Sequence, residues 1–384
     1  MLAHQFVWFL LRKFLVQLIV MKKLLLLLIL FYISFSTNAQ THKLIVGTFT
    51  RANNSEGIYI FDFDTKTADS KALSIIKSPA DQGYLTLSND NKFIYSTYML
   101  KDKSAVTAYA FNDKNAEAKL MNQLPAGQNP CYIITDGINV ITANYGGGSI
   151  NVYGLKNDGA LGTEKQLIQH TGSGPDPRQA SAHAHQVMFT PDKKYVLAVD
   201  LGEDKIYTYY YNANTEKPLV FKTSLSTDAG SGPRHLTFSP NGKYVYVVHE
   251  FTGKISVFNY QDGNLTLQQQ IATTATNFEG KIDGAAIQIS SDGNFLYQTN
   301  RGDANTISTF GIAKNGSLKL VETVNTLGKG PRFFTIDPSG KFLLVAHQYT
   351  NDVVIFNRDS KTGKLTDSGK RINVGTPVCL VFSK

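Results

Sequence analysis

The sequence predicts an all-β chain: a single seven-bladed β-propeller of four-stranded antiparallel blades, its ring closed by the N- and C-terminal strands in one blade. Three observations lead there. The stretch from Gly232 to Phe258, GPRHLTFSPNGKYVYVVHEFTGKISVF, alternates, turns at Pro-Asn-Gly, runs through β-branched and aromatic residues to His249-Glu250, and turns again at a glycine. That is the pattern of three consecutive antiparallel strands. The phrase returns as GPRFFTIDPSGKFLLVAHQYTNDVVIF from Gly330 to Phe356 and as AHQVMFTPDKKYVLAVDLGEDKIYTY from Ala184 to Tyr209. Equivalent first strands begin near Tyr84, Cys131, His185, Arg234, Ala285, Arg332 and Val378, a spacing of about 45 to 54 residues that belongs to propeller blades.

The segments follow in order. Residues 1–20 hold an apolar run broken by Arg12-Lys13, and Met21 then opens MKKLLLLLILFYISFSTNAQ, with Lys22-Lys23, an apolar stretch and small residues up to Ala39. This is the make-up of a secretory signal peptide, so Met21 is the expected start, cleavage is expected after Ala39, and residues 40–384 form one periplasmic or secreted domain. An uncleaved membrane anchor is the rival reading of the same run. Four of the 38 Lys and Arg, and none of the 30 Asp and Glu, fall in residues 1–39. The remainder is close to charge balance, which argues against a nucleic-acid partner and, once the signal is removed, against a membrane.

KLIVGTFT from Lys43 and GIYIFDFD from Gly57 supply two strands, and PVCLVF from Pro377 supplies the strand that stands before them. Joining both termini in one blade leaves no sheet edge open. Between them lie six complete units. Their hairpins carry Ser239-Pro240-Asn241-Gly242, Ser291-Asp292-Gly293 and Asp337-Pro338-Ser339-Gly340 where a tight turn needs a fixed or positive φ. Tyr153, Phe258, Phe310 and Phe356 recur in the third strand as packing between blades. The two cysteines, Cys131 and Cys379, fall in blades that the repeat does not make neighbours, and are expected as free buried thiols.

In an antiparallel hairpin the start of the first strand and the end of the second share a rim, so both face one funnel. The strand ends are Phe49-Thr50, Tyr98-Met99, Asn144-Tyr145, Asp200-Leu201, His249-Glu250, Asn300-Arg301 and His347-Gln348. Arg234, Arg301 and Arg332 converge there with Glu250, His183 and His185. Guanidinium groups suit a carboxylate, a phosphate or an oxyanion, and a carboxylate or imidazole beside them can take a proton from water or from a C–H bond. The catalytic candidates are His183, His185, Arg234, Glu250 and Arg301. Asn144, Tyr145, Arg178, His235, His249, Asn300, Arg332, His347 and Gln348 are candidates for substrate contact. His183 and His185 stand two apart on a strand, which turns both rings the same way and would let them share a metal. No acidic third ligand lies close in sequence, so neither metal nor cofactor is expected. A GxSxG elbow, a phosphate-cradling glycine loop and a CxxC pair are all absent.

The whole stretch from VGTFTR at Val46 to PVCLVF at Pro377 resembles the seven-bladed propeller lactonases of the 6-phosphogluconolactonase family, and is similar to their relatives, the carboxy-muconate lactonizing enzymes. NPCYI with ANYGGGSI, RQASAHAHQV with VDLGEDKIY, GPRHLTFSPNGKYVYVVHE, TNRGDANTI and GPRFFTIDPSGKFLLVAHQ carry the resemblance, in order. It implies metal-independent hydrolysis of a small-molecule sugar lactone, with a site on His183 or His185, Arg234, Glu250 and Arg301. The family usually has an acidic residue before the strand preceding its NRG, where this chain reads Ala285-Ala286-Ile287-Gln288, so that blade is expected to bring less charge. Three rival readings use the same funnel: a muconate-type cycloisomerase, a secreted propeller that only binds a sugar acid or a protein, and a metal-dependent lactonase with Glu250, Asn144, Asn300 and Asp200 as oxygen ligands. Oligomeric state is left open.

Overall fold

The computed structural model describes residues 41–383 apart from 52, 53 and 276, and, before them, residues 8, 13–15, 17–19 and 21–23. The export segment expected over residues 21–39 lies outside the described residues except for 21–23, which are helical. Among the described residues no helix is long and apolar enough to cross a membrane.

From Thr41 onward the chain forms seven four-stranded antiparallel sheets. Blade one joins Pro377–Phe382 to Thr41–Thr48, Gly57–Asp64 and Ser70–Lys77. Blades two to seven then occupy residues 85–125, 130–169, 184–226, 233–272, 282–325 and 331–373, each in simple up-and-down order. Ring closure is the pairing of Leu44 with Phe382, Ile45 with Val381 and Val46 with Leu380. The one helical element among residues 41–383 is a short 3₁₀ turn, Pro177–Gln179, between blades three and four.

Apolar residues of neighbouring blades interdigitate to form the core. Leu197, Val199 and Ile206 of blade four pack with Leu236, Val245, Val247 and Phe258 of blade five in one buried cluster, and removing such surface from water is the main driving force of the fold. Buried tyrosines tie blade to blade: Tyr95, Tyr246 and Tyr297 donate to the carbonyls of Gly159, Gly316 and Gly363 at 2.9, 2.9 and 2.8 Å. The first hairpin repeats one lock, in which Ser88, Thr190, Ser239 and Ser290 hydroxyls accept the N–H of Phe93, Tyr195, Tyr244 and Phe295 at 3.0 to 3.2 Å. Such local side-chain bonds favour a turn over a continued strand.

A bulge at the start of the innermost strand recurs around the ring. In blade three Pro130 faces Asn144 and Tyr132 faces Ala143, leaving Cys131 without a partner. The same skip isolates His185 in blade four, Arg234 in blade five, Arg332 in blade seven and Val378 in blade one. Blade six skips two residues, Ala285 and Ala286. An extra residue in one strand re-aims its side chain out of the ladder, here toward the axis of the ring.

Candidate active site

The five residues isolated by single-residue bulges, Cys131, His185, Arg234, Arg332 and Val378, all line one cavity of about 430 Å³. From the ends of the second strands come Phe49, Met99, Tyr145, Glu250, Arg301 and Gln348, and His235 and Tyr84 also reach it. Their neighbours Asn144, His249, Asn300 and His347 do not line it. Successive residues of a strand point to opposite faces, so the first of each pair turns into its blade and the second into the funnel. Asn144 donates to Ser149 and Asn151 at 3.0 and 2.7 Å, His249 bonds Ser256 at 2.8 Å, Asn300 donates to Thr273 at 2.8 Å, and His347 lies 3.2 Å from Asp352. For these four the expectation of substrate contact is corrected to a packing role. Asn144, Asn300 and Asp200 accordingly do not meet Glu250 around the cavity as the metal-dependent reading requires.

Charge concentrates at one side of the cavity. One oxygen of Glu250 sits 2.9 Å from both Arg234 Nε and Arg301 Nη2. Arg301 Nη2 also lies 3.3 Å from Asp283, and Arg178 Nη1 stands 3.5 Å from Glu250 and 3.5 Å from Asp283. Asp283 is the residue that the sequence reading missed. Because blade six skips two residues, its first strand begins early and sets Asp283 opposite Arg301. The expectation that this blade brings less charge is corrected, since its acidic group lies two positions before Ala285. Arg178 comes from the 3₁₀ turn, where Asp176 caps the first turn, and its guanidinium lies 3.8 Å over the Phe251 ring at the mouth. These ion pairs are close but poorly aligned: Arg234 Nε and Arg301 Nε and Nη2 are buried without a hydrogen-bond acceptor. Arg234 Nη1 donates to the carbonyl of Ala285 at 2.7 Å, a group exposed by the bulge. Arg332 forms no ion pair or hydrogen bond among the described residues and faces the Phe49 ring at 5.3 Å.

The environment separates the two carboxylates. Burial works against ionisation of Glu250, yet Arg301 and Arg234 hold it down at about 2. Burial raises Asp283 above its usual value, with Arg301 opposing and Glu250 adding to the rise. Burial and the neighbouring Arg234 and Arg301 push Arg332 down to about 9, so it carries its charge at neutral pH in a setting that an anion would relieve. Burial and Arg234 depress His185 and His235 well below 6.5, leaving both rings neutral.

The two histidines of the HAH stretch do not face the same space, because the bulge at His185 breaks the alternation. His183 stacks behind Tyr145 at 4.5 Å and 11° and donates from Nδ1 to the Tyr145 carbonyl at 2.7 Å. His185 meets the Tyr145 ring edge-on and lines the cavity, with nothing among the described residues bonded to its Nε2. Asp200 accepts the His183 N–H at 2.7 Å and is itself fixed by His170 Nδ1 at 2.7 Å. His170, Asp200 and Glu203 have the arrangement of a metal cluster, but His170 Nε2 is taken by Tyr209 at 2.8 Å and Glu203 by Lys205 and Tyr207 at 2.8 and 2.9 Å, outside the funnel. Cys131 and Cys379 are free. Cys131 is half-buried at the cavity wall, not fully buried as expected, and burial lifts its thiol to about 12, far from the thiolate form that reacts.

The seven-bladed ring with its axial funnel is the architecture of the propeller lactonases: the family described as "Lactonase, 7-bladed beta-propeller" matches residues 43–382, and the chain belongs to it. It is 37% identical over 346 residues to the 6-phosphogluconolactonase of Bacillus subtilis, covering 88% of this chain and 97% of that protein. Among solved structures it is similar to a putative 6-phosphogluconolactonase from Bacteroides fragilis, with 40% identity, a TM-score of 0.86, and 91% and 99% of the two chains covered. The Pseudomonas aeruginosa periplasmic gluconolactonase PpgL follows at 31% identity and a TM-score of 0.85, covering 90% and 99%.

Proposed function

We propose that the chain opens a sugar lactone by adding water across its ester bond, without a metal. The observation that supports this best is the gathering of Arg234, Arg301 and Arg332 on one cavity with Glu250 and Asp283 clamping the first two. The lactone carbonyl takes its place against these guanidinium groups. Water attacks the carbonyl carbon and gives its proton to the neutral His185 Nε2. The carbonyl oxygen becomes an oxyanion held by Arg234 and Arg301, of which Arg234 Nε and Arg301 Nε and Nη2 are buried and aligned to no acceptor. The ring oxygen then leaves with a proton and the acid is released. Groups fixed in advance around developing charge supply most of such an acceleration. Glu250, ionised and saturated by arginines, is a poor base and serves to orient them.

The charge inventory bears on the substrate. Arg51 is paired with Asp81 at 2.8 Å, Arg178 with Asp176 at 3.4 Å, and Arg234 and Arg301 with Glu250 and Asp283; five arginines against four carboxylates leave Arg332 alone. One spare positive charge matches the single charge that a neutral lactone develops on ring opening, and an unphosphorylated aldonolactone is therefore the favoured substrate over its 6-phosphate. Export is part of the proposal and rests on the sequence of residues 21–39; a mature N-terminus at Gln40 on protein from the cell envelope checks it. The central test is to purify residues 40–384 and follow acid release from gluconolactone and 6-phosphogluconolactone, with and without chelator. Ring opening of at least one lactone well above the spontaneous rate, unaffected by chelator, is expected. Equality with the spontaneous rate for both would overturn the reading.

A further inference from the structure

The funnel does not end at its catalytic wall. A second hollow of about 330 Å³ adjoins it and shares Phe49, Arg51 and Gln348, with Tyr349, Asn54 and Asn351 on its outer side. We infer that this hollow is a subsite for a second sugar unit, so that the substrates include aldonolactones carrying a glycosyl substituent. The inference rests on the lactonase reading above.

The internal repeat picks out Tyr349. In blades five and seven alike an aromatic ring follows the funnel residue and packs against a glycine held at positive φ: Phe251 against Gly232, at +64°, and Tyr349 against Gly330, at +71°. A Cβ at either glycine would fall 2.8 or 2.5 Å from the ring, so the glycine is what permits the seat. The outer face of Phe251 is covered by the Arg178 guanidinium at 3.8 Å. Tyr349 is 65% exposed. The chain thus repeats the seat and in blade seven leaves it bare.

Around the bare ring the polar groups are fixed and retain bonding capacity. Asn54 donates to Asn351 at 2.8 Å, and Thr376 fixes both amides, donating to Asn54 at 2.7 Å and bonding Asn351 through its N–H at 2.9 Å. Gln348 Oε1 is buried with no donor, and Gln348 belongs to both hollows. Phe49 is held between Arg51 at 4.2 Å and Arg332 at 5.3 Å. A pyranose has this complement: an apolar C–H face for the ring, and hydroxyls around its edge for amides and guanidinium.

The test compares kcat/KM for cellobionolactone and gluconolactone in the wild type and in Tyr349→Ala, a change at an exposed side chain outside the catalytic wall. The wild type is expected to favour the disaccharide lactone by about tenfold; Tyr349→Ala is expected to remove that preference through KM while leaving gluconolactone within about twofold. Equal wild-type values, or a preference that survives Tyr349→Ala, overturns the subsite and leaves the lactonase reading standing. Failure to open either lactone overturns the lactonase reading itself and this inference with it.

Discussion

Glu250 places one oxygen between two buried guanidinium groups, and removing its charge strands both. Glu250→Gln is expected to cost about 3 to 5 kcal/mol of stability, read by urea unfolding, and to lower kcat/KM by two orders of magnitude or more, since Arg234 and Arg301 lose their orientation. The pH dependence has a definite sign. Glu250 is held at about 2, below its ordinary 4.5; its stabilisation is complete above 4.5 and is lost as the pH falls through 2. Asp283 is shifted the other way, so its ionised form weakens the fold above its raised pKa. Asp283→Asn is therefore expected to stabilise the protein at neutral pH while slowing ring opening, an opposition that paired melting and rate measurements reveal. His185, depressed by burial and Arg234, is protonated only in acid. The kcat/KM profile of the wild type is expected to stay flat through 6.5, where an ordinary histidine titrates, and to fall below that; His185→Gln should abolish this acid limb. A limb centred at 6.5 would remove His185 as the base.

The bulged first strand turns these residues into a site. Substituting His185 removes one side chain, whereas deleting the residue removes the bulge and rejoins Ala184 to Gln186 in the ladder. His185→Ala is expected to keep its cooperative melt, and the deletion to lose both activity and several degrees of Tm, as thermal unfolding followed by circular dichroism would show. The same element explains what could be read in advance. The blade count and the closing blade were legible, because each repeat carries its own turn chemistry and alternation. The arginines of the GPR stretches were legible as funnel residues for the same reason. Which member of each strand-end pair faces inward was not, since Asn144-Tyr145 and His249-Glu250 are both polar or aromatic and only the pairing register decides. His183 was misread because strict alternation was carried through a bulge. Asp283 escaped because blade six skips two residues where five other blades skip one, whereas Arg178 was legible as a candidate although its 3₁₀ turn lies outside the repeat.

For the whole ring, the single uncompensated guanidinium on the axis sets an expectation about charge: gluconolactone is expected to give a higher kcat/KM than its 6-phosphate, and Arg332→Ala to reduce both. A preference for the phosphate would mean that Arg332 and Arg51 together receive a dianion, with Asp81 giving up its partner. The ring also has a fastening point. Leu44, Ile45 and Val46 pair with Phe382, Val381 and Leu380, so removing residues 377–384 is expected to abolish cooperative unfolding and not merely to lower Tm. In chain order that strand follows all the blades it closes. They can stack as they emerge, but Val378, which completes the wall of the funnel, reaches its place only after them. A chain clipped ahead of it is expected to be an open arc with a breach in its central well.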